Sequence, residues 1–206
     1  MSHLSFLRHA LAAAACALAA GTASAAPLHF DGTFGADDER FVVNFHLDAA
    51  TTLLATTTSF AQGGFAPILT LFGAAGGVQQ AVGSAMQCGA GSGARDPVSG
   101  ACWDAVLRTD IGAGDYALVL TQDGNYAIGD TLAAGFQQDG LGHYTSEFYL
   151  GTTGPLCTNA DASQRSCGWA LTLDGLPQAP SGQVPEPGSL ALAGIALLAL
   201  GRSRRA

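Results

Sequence analysis

Tyr116–Gln122, YALVLTQ, is the stretch on which the fold turns. Aromatic and β-branched residues fill it, a tight turn at Ile111-Gly-Ala-Gly-Asp115 precedes it, and it is the strongest strand signal in the chain. Upstream, Trp103–Thr109 (WDAVLRT) alternates, with Trp103, Ala105 and Leu107 on one side. Pro67 opens Ile68–Phe72, a position where a strand accepts proline, and Gly73–Gly77 turns the chain into Val78–Val82. Glu39–Leu47 (ERFVVNFHL) sets Phe41, Val43, Phe45 and Leu47 on one face, with Val42, Asn44 and His46 on the other. His46 is therefore expected at the surface. Thr51–Thr58 (TTLLATTT) follows through a short Asp48-Ala-Ala link, which predicts a hairpin. Downstream, Glu147–Leu150 reads as a short strand and Gly168–Leu173 (GWALTL) closes the domain. Two loops separate these runs, one from Gly83 to about Ala101 and one over Asp123–His143 with little regular structure. Seven to nine short strands with turn signals between them predict an all-β fold, an antiparallel β-sandwich of jelly-roll kind.

The two ends of the chain read as processing segments. Residues 1–25 form a signal helix: His3, Arg8 and His9 lead into Ala10–Ala20, and Ala23-Ser24-Ala25 supplies a small-residue cleavage site. Residues 26–176 are the sandwich domain, and 177–184 are a linker rich in Pro, Gly and Ser. The last segment, 185–206, reads PEPGSLALAGIALLALGRSRRA. Its apolar run, Leu190–Leu200, predicts a short hydrophobic helix. Those eleven residues, at about 1.5 Å each, cover roughly half of a ~30 Å hydrocarbon core.

The triplet Pro185, Glu186, Pro187, the apolar run and the basic cluster Arg202, Arg204, Arg205 occur in that order. This arrangement closely resembles the PEP-CTERM sorting signal of Gram-negative bacteria. The resemblance implies Sec export, a transient stay in the inner membrane as a transmembrane helix with the arginines on the cytoplasmic side, and cleavage by the membrane protease exosortase. It further implies a final place at the cell surface or in an exopolysaccharide (biofilm) matrix. Over residues 28–175 a looser set of landmarks resembles the bacterial pre-peptidase C-terminal domain, itself a β-sandwich. They are Phe30, Gly32, Phe34, Asp37, Asp38 and Phe41, then Ala113–Gln122; Gly63–Phe72 and Ala113–Gln122 also resemble segments of other PEP-CTERM proteins.

Charge narrows the partners. Residues 26–183 hold fifteen acids against four arginines (Arg40, Arg95, Arg108, Arg165), a formal charge of −11, and the chain has no lysine. Such a surface repels phosphates, which excludes a nucleic-acid role, and repels anionic polysaccharide unless divalent cations intervene. Four cysteines follow the signal segment: Cys88, Cys102, Cys157 and Cys167. An even number in an exported chain predicts disulfides. Of three pairings the local one, Cys88–Cys102 with Cys157–Cys167, is expected, because each bridge closes a short loop. Zinc is the rival reading, and no C-x2-C pair supports it.

Catalytic signatures are missing. Ser92 lies in Gly89-Ala-Gly-Ser-Gly93, which fails the G-x-S-x-G spacing; no H-E-x-x-H and no G-K-[ST] occur. A non-catalytic protein that requires no cofactor is therefore the expectation, with a hydrolase built on an unrecognised acid pair as one alternative. A binding module using the 123–142 loop is the other. There Asp37, Asp38, Asp123, Asn125 and Asp130 are candidate Ca2+ ligands, since calcium takes six to eight oxygens from such loops, although solvated acids are the plainer reading. Tyr126, Phe136, Tyr144, Phe148 and Tyr149 are candidates to line a sugar-stacking groove, and core packing explains them equally well.

Overall fold

Eight strands pair as though one long hairpin had been folded back on itself. They are β1 (Leu28–Thr33), β2 (Phe41–Leu47), β3 (Thr51–Thr57), β4 (Pro67–Gly73), β5 (Val78–Val82), β6 (Val106–Ile111), β7 (Gly114–Gln122) and β8 (Gly168–Asp174). In this computed structural model, which describes residues 26–73, 76–82, 93–159 and 162–176, β4 pairs with β5, β3 with β6, β2 with β7 and β1 with β8, all antiparallel. Contacts of β3 with β8 and of β4 with β7 complete two four-stranded sheets, β1-β8-β3-β6 and β2-β7-β4-β5. This nested order is the jelly-roll sandwich that the strand count predicted. The signal segment, Cys88, the linker and the sorting tail lie outside the described residues. Among the described residues no helix is long and apolar enough to cross a membrane.

The alternation expected of β2 is observed: Val43, Phe45 and Leu47 are buried while Asn44 and His46 are exposed. The predicted β2–β3 hairpin is not. β2 joins β7 in one sheet and β3 joins β6 and β8 in the other, so Asp48-Ala-Ala arches between sheets. Every connection between consecutive strands changes sheet except β4 to β5. A three-residue link suits either geometry, and the partner strands decide it. A second correction concerns Glu147–Leu150, which is not a strand but the end of a helix, α1 (Tyr144–Leu150). Gly151 stops it in the left-handed conformation, φ 71°, its N–H bonded to the Glu147 carbonyl. Trp103 precedes β6 and lies outside it.

Leu53, Ala55, Leu69, Leu71, Leu118, Leu120, Leu171 and Leu173 form the centre of the space between the sheets. Trp169 closes one side, stacked on Phe41 at 4.4 Å. Its indole lies against Gly32, its cross-strand partner, where an added Cβ would stand 2.5 Å from Trp169 Cζ2. A side chain there would evict the ring. A second cluster, Phe72, Val119 and Phe136 with Val42, Ala117, Ala127 and Leu132, covers the outer face of the β2-β7-β4-β5 sheet.

Register also fixes where the chain enters and leaves. Leu28 lies opposite Leu173 and Thr33 opposite Gly168, and Thr51 Oγ donates to the Gly175 carbonyl. Both exits, residues 26–28 and 174–176, therefore share one end with the short links after β2 and β6. The longer connections, 34–40, 58–66, 93–105 and 123–167, gather at the other end.

Candidate binding site at the loop end of the sandwich

Residues 123–143 are predicted to have little regular structure, yet backbone and side-chain bonds fold them tightly. Ala127 and Phe136 form an antiparallel bridge, Leu132–Ala134 make one 3-10 turn, and Gln137 N–H donates to the Tyr126 carbonyl at 2.9 Å. Asn125 is fully buried at the centre. Its Oδ1 accepts from Gln138 N–H (2.9 Å), its carbonyl accepts from Thr121 Oγ (2.9 Å), and Gln138 Nε2 donates to the Gly124 carbonyl (3.1 Å). Phe136 plugs the outer cluster, edge-on to Phe72 at 6.1 Å.

The acids ahead of β2 act as clamps on this loop and on α1. Asp37, fully buried, accepts from Thr145 N–H (3.0 Å), Thr145 Oγ (2.5 Å) and Cys157 N–H (2.7 Å). Its Oδ2 sits where the first turn of α1 offers free N–H groups. Asp38 Oδ2 accepts from Gly140 N–H (2.9 Å). Arg40 pairs with Asp139 at 3.1 Å and lies 5.1 Å over the Phe136 ring.

The candidate Ca2+ ligands therefore do not converge on one point. Asp37, Asp38 and Asn125 are engaged in the knot just described, Asp123 Oδ1 accepts from Tyr126 OH (3.0 Å), and Asp130 is exposed near Gly76. Among the described residues the one group of metal-donor atoms within reach of each other is Asp37, Cys157 and Cys167. Its two sulfurs are bonded to each other, in the Cys157–Cys167 disulfide that the loop lengths predict. Cys102 is buried and disulfide-bonded, and its expected partner Cys88 lies outside the described residues.

Two adjoining cavities open beside α1. The larger, about 500 Å3, is lined by Gly124, Tyr126, Gln137, Gln138, Leu141, Tyr144, Glu147, Phe148 and Tyr149. The smaller, about 150 Å3, includes Phe60, Trp103, Asp123, Asn159 and again Tyr149. Of the five aromatics predicted to line a groove, four do, and Phe136 is core. Phe60, Trp103, Gln137 and Gln138 escape the sequence reading as site residues, since a place near a strand end marks only the first two and the amides lie in mid-loop.

The tyrosines are held as neutral hydroxyls. Burial, with the Asp123 charge adding to it, pushes Tyr126 up to about 12 and raises Tyr149 as well. Burial raises Tyr144 further, and its OH donates to the Asp123 carbonyl at 2.7 Å. Beneath the smaller cavity Asp104 accepts from Thr57 Oγ, Phe60 N–H and Ala61 N–H at 2.9–3.0 Å. Burial still pushes its carboxyl above the usual range. Arg165 stacks 3.8 Å over Phe60 and pairs with Asp96.

The third cavity of note holds His46, on the surface as its strand position predicts. Asp115, its cross-strand neighbour, bonds Nδ1 at 2.6 Å and raises the imidazole above its ordinary value. No serine or cysteine lines that cavity.

A family profile described as the PEP-CTERM protein-sorting motif matches residues 183–205. No curated protein sequence and no solved structure matches the chain. The motif marks an exported protein, anchored in the membrane before exosortase processes it. Because the match lies wholly beyond β8, it adds nothing to the resemblance of residues 28–175 to the pre-peptidase C-terminal domain.

Proposed function

We propose that this is a non-catalytic passenger of the exosortase pathway, a jelly-roll domain that works at the cell surface or in the exopolysaccharide matrix after its tail is cut. The observation that carries the reading is the sorting motif at residues 183–205. The rest of the molecule is consistent with it. The Cys157–Cys167 bridge suits an oxidising compartment, where such bonds persist. Among the described residues none of the cavities above carries more than one carboxylate, whereas acid–base hydrolysis of a glycosidic bond needs two acids facing each other. The hydrolase alternative is the weaker for that reason. Calcium is likewise the weaker binding alternative, because donors already hold both oxygens of Asp37 and one each of Asp38 and Asp123, in separate contacts.

The test is made in the native host, with Pro185, Glu186 and Pro187 intact and then all replaced by alanine. The intact chain is expected to lose its tail and leave the inner membrane, while the variant accumulates there at full length. Identical processing and location of the two chains would overturn the reading.

A further inference from the structure

The larger cavity beside α1 has a wall and rim of opposite character. Tyr126, Phe148 and Tyr149 supply carbon surface, with the Phe148 and Tyr149 rings 5.1 Å apart and nearly perpendicular, at 86°. Phe148 is 80% exposed, the most exposed aromatic of the domain core and loops, and Leu141 beside it is half exposed. Exposed apolar surface that is contiguous and rimmed by polar groups marks a place where a ligand docks. Around these rings stand the amides of Gln137 and Gln138 and the carboxylate of Glu147. The Gln137 side chain and the Tyr149 hydroxyl have no hydrogen-bond partner among the described residues. A volume of about 500 Å3 lies within the range of small-ligand clefts.

We infer that this cavity binds a neutral polysaccharide, with a hexose ring stacked on Phe148 and its hydroxyls bonded by Gln137 and Tyr149. A pyranose has the matching duality: a C–H face for an aromatic ring and equatorial hydroxyls at its rim. An apolar ligand would cover the Gln137 amide and the Tyr149 hydroxyl and leave them unpaired, which costs more than it gains. Charge selects among sugars. Among the described residues no arginine lines either cavity, Glu147 and Asp123 do, and residues 26–183 as a whole carry −11. A uronate or sulfated chain meets repulsion, and a neutral one does not. Tyr149 belongs to both cavities, so the smaller one, walled by Phe60 and Trp103, offers a neighbouring unit of the same chain a second aromatic contact.

This inference builds on the surface reading above for where the sugar is met, but its test is read on purified protein and is independent of tail processing. The exported protein recovered from its host is run through native gels containing galactomannan, hydroxyethylcellulose or alginate, beside a non-binding reference protein. Retardation by a neutral polymer is expected, weakened about tenfold in Phe148→Ala and in Gln137→Ala and retained in Phe148→Tyr. Phe148 and Gln137 are both exposed, so neither change endangers folding. The inference is overturned by no retardation in either neutral gel, by equal retardation of the alanine variants, or by retardation in alginate alone. It is also overturned if Phe148→Ala dissolves a dimer without touching sugar binding, which would make the exposed ring a self-association surface.

Discussion

The two sheets differ in what lies on their outer faces, and the difference is written in their burial patterns. In the β1-β8-β3-β6 sheet the strands alternate: β3 runs half-buried, exposed, then buried at every second residue, and β8 does the same. Its outer face holds cross-strand polar pairs such as Thr52 with Asp110 and His29 with Thr172. In the other sheet β4 is buried at six consecutive positions and β7 at its last five. A strand buried on both faces reads as a continuous apolar run, and it needs a cover. The chain supplies that cover immediately after β7, in the loop that carries Ala127, Leu132 and Phe136. Where the cover ends, at the loop end of the sandwich, the aromatic cavities begin.

The largest effect should come from stripping the cover. Phe136→Ala is expected to cost about 4 kcal/mol of unfolding free energy by denaturant titration. Leu54→Ala, on the uncovered face, should cost about 1 kcal/mol. Equal losses would erase the distinction between the sheets. Next, Asp37→Asn removes one acceptor from the clamp that ties the cover to α1 and to Cys157, and should cost about 2 kcal/mol in the same assay. Arg40→Ala loses a half-exposed ion pair and the ring contact with Phe136, for about 1 kcal/mol, part of it removable by salt.

The smallest effect belongs to the rim of the cover, at His46. Its folded pKa is raised by Asp115, so its stabilising contribution is full below the unfolded value of about 6.5 and fades as pH rises through the folded value. A melting-temperature profile from pH 5 to 9 should show a shallow fall in this window, absent from His46→Gln. A fall of the same size in the variant would assign the slope to other groups.

Much of this was legible from local pattern. The alternation of Phe41 through Leu47 placed β2, and YALVLTQ with PILTLF placed the two central strands of the covered sheet. What local pattern missed was decided at a distance. Asp48-Ala-Ala has hairpin length, but β2 is claimed by β7 and β3 by β8 and β6, some fifty or more residues away. Glu147–Leu150 has strand composition, yet Asp37, over a hundred residues upstream, accepts Thr145 N–H and fixes a helical turn there. The same contact decided the fate of the acids. Their clustering suggested metal ligands, and only the fold shows Asp37 and Asp38 turned to N–H groups, Asp123 to the Tyr126 hydroxyl and Asp130 apart from them. In the cavity the tyrosines were readable as aromatics near a loop. Gln137 and Gln138 were not, since an amide in a loop looks alike whether it faces water or a ligand.

The coincidence of the two chain exits at one end of the roll sets the direction in which the domain presents itself. Any stalk continuing from residue 176 grips the domain at its base, diametrically opposite the cup between β7 and α1. The attachment at residue 176 thus leaves the rim of the cup clear of the chain's own exit, and cutting the tail alters nothing at the cup itself.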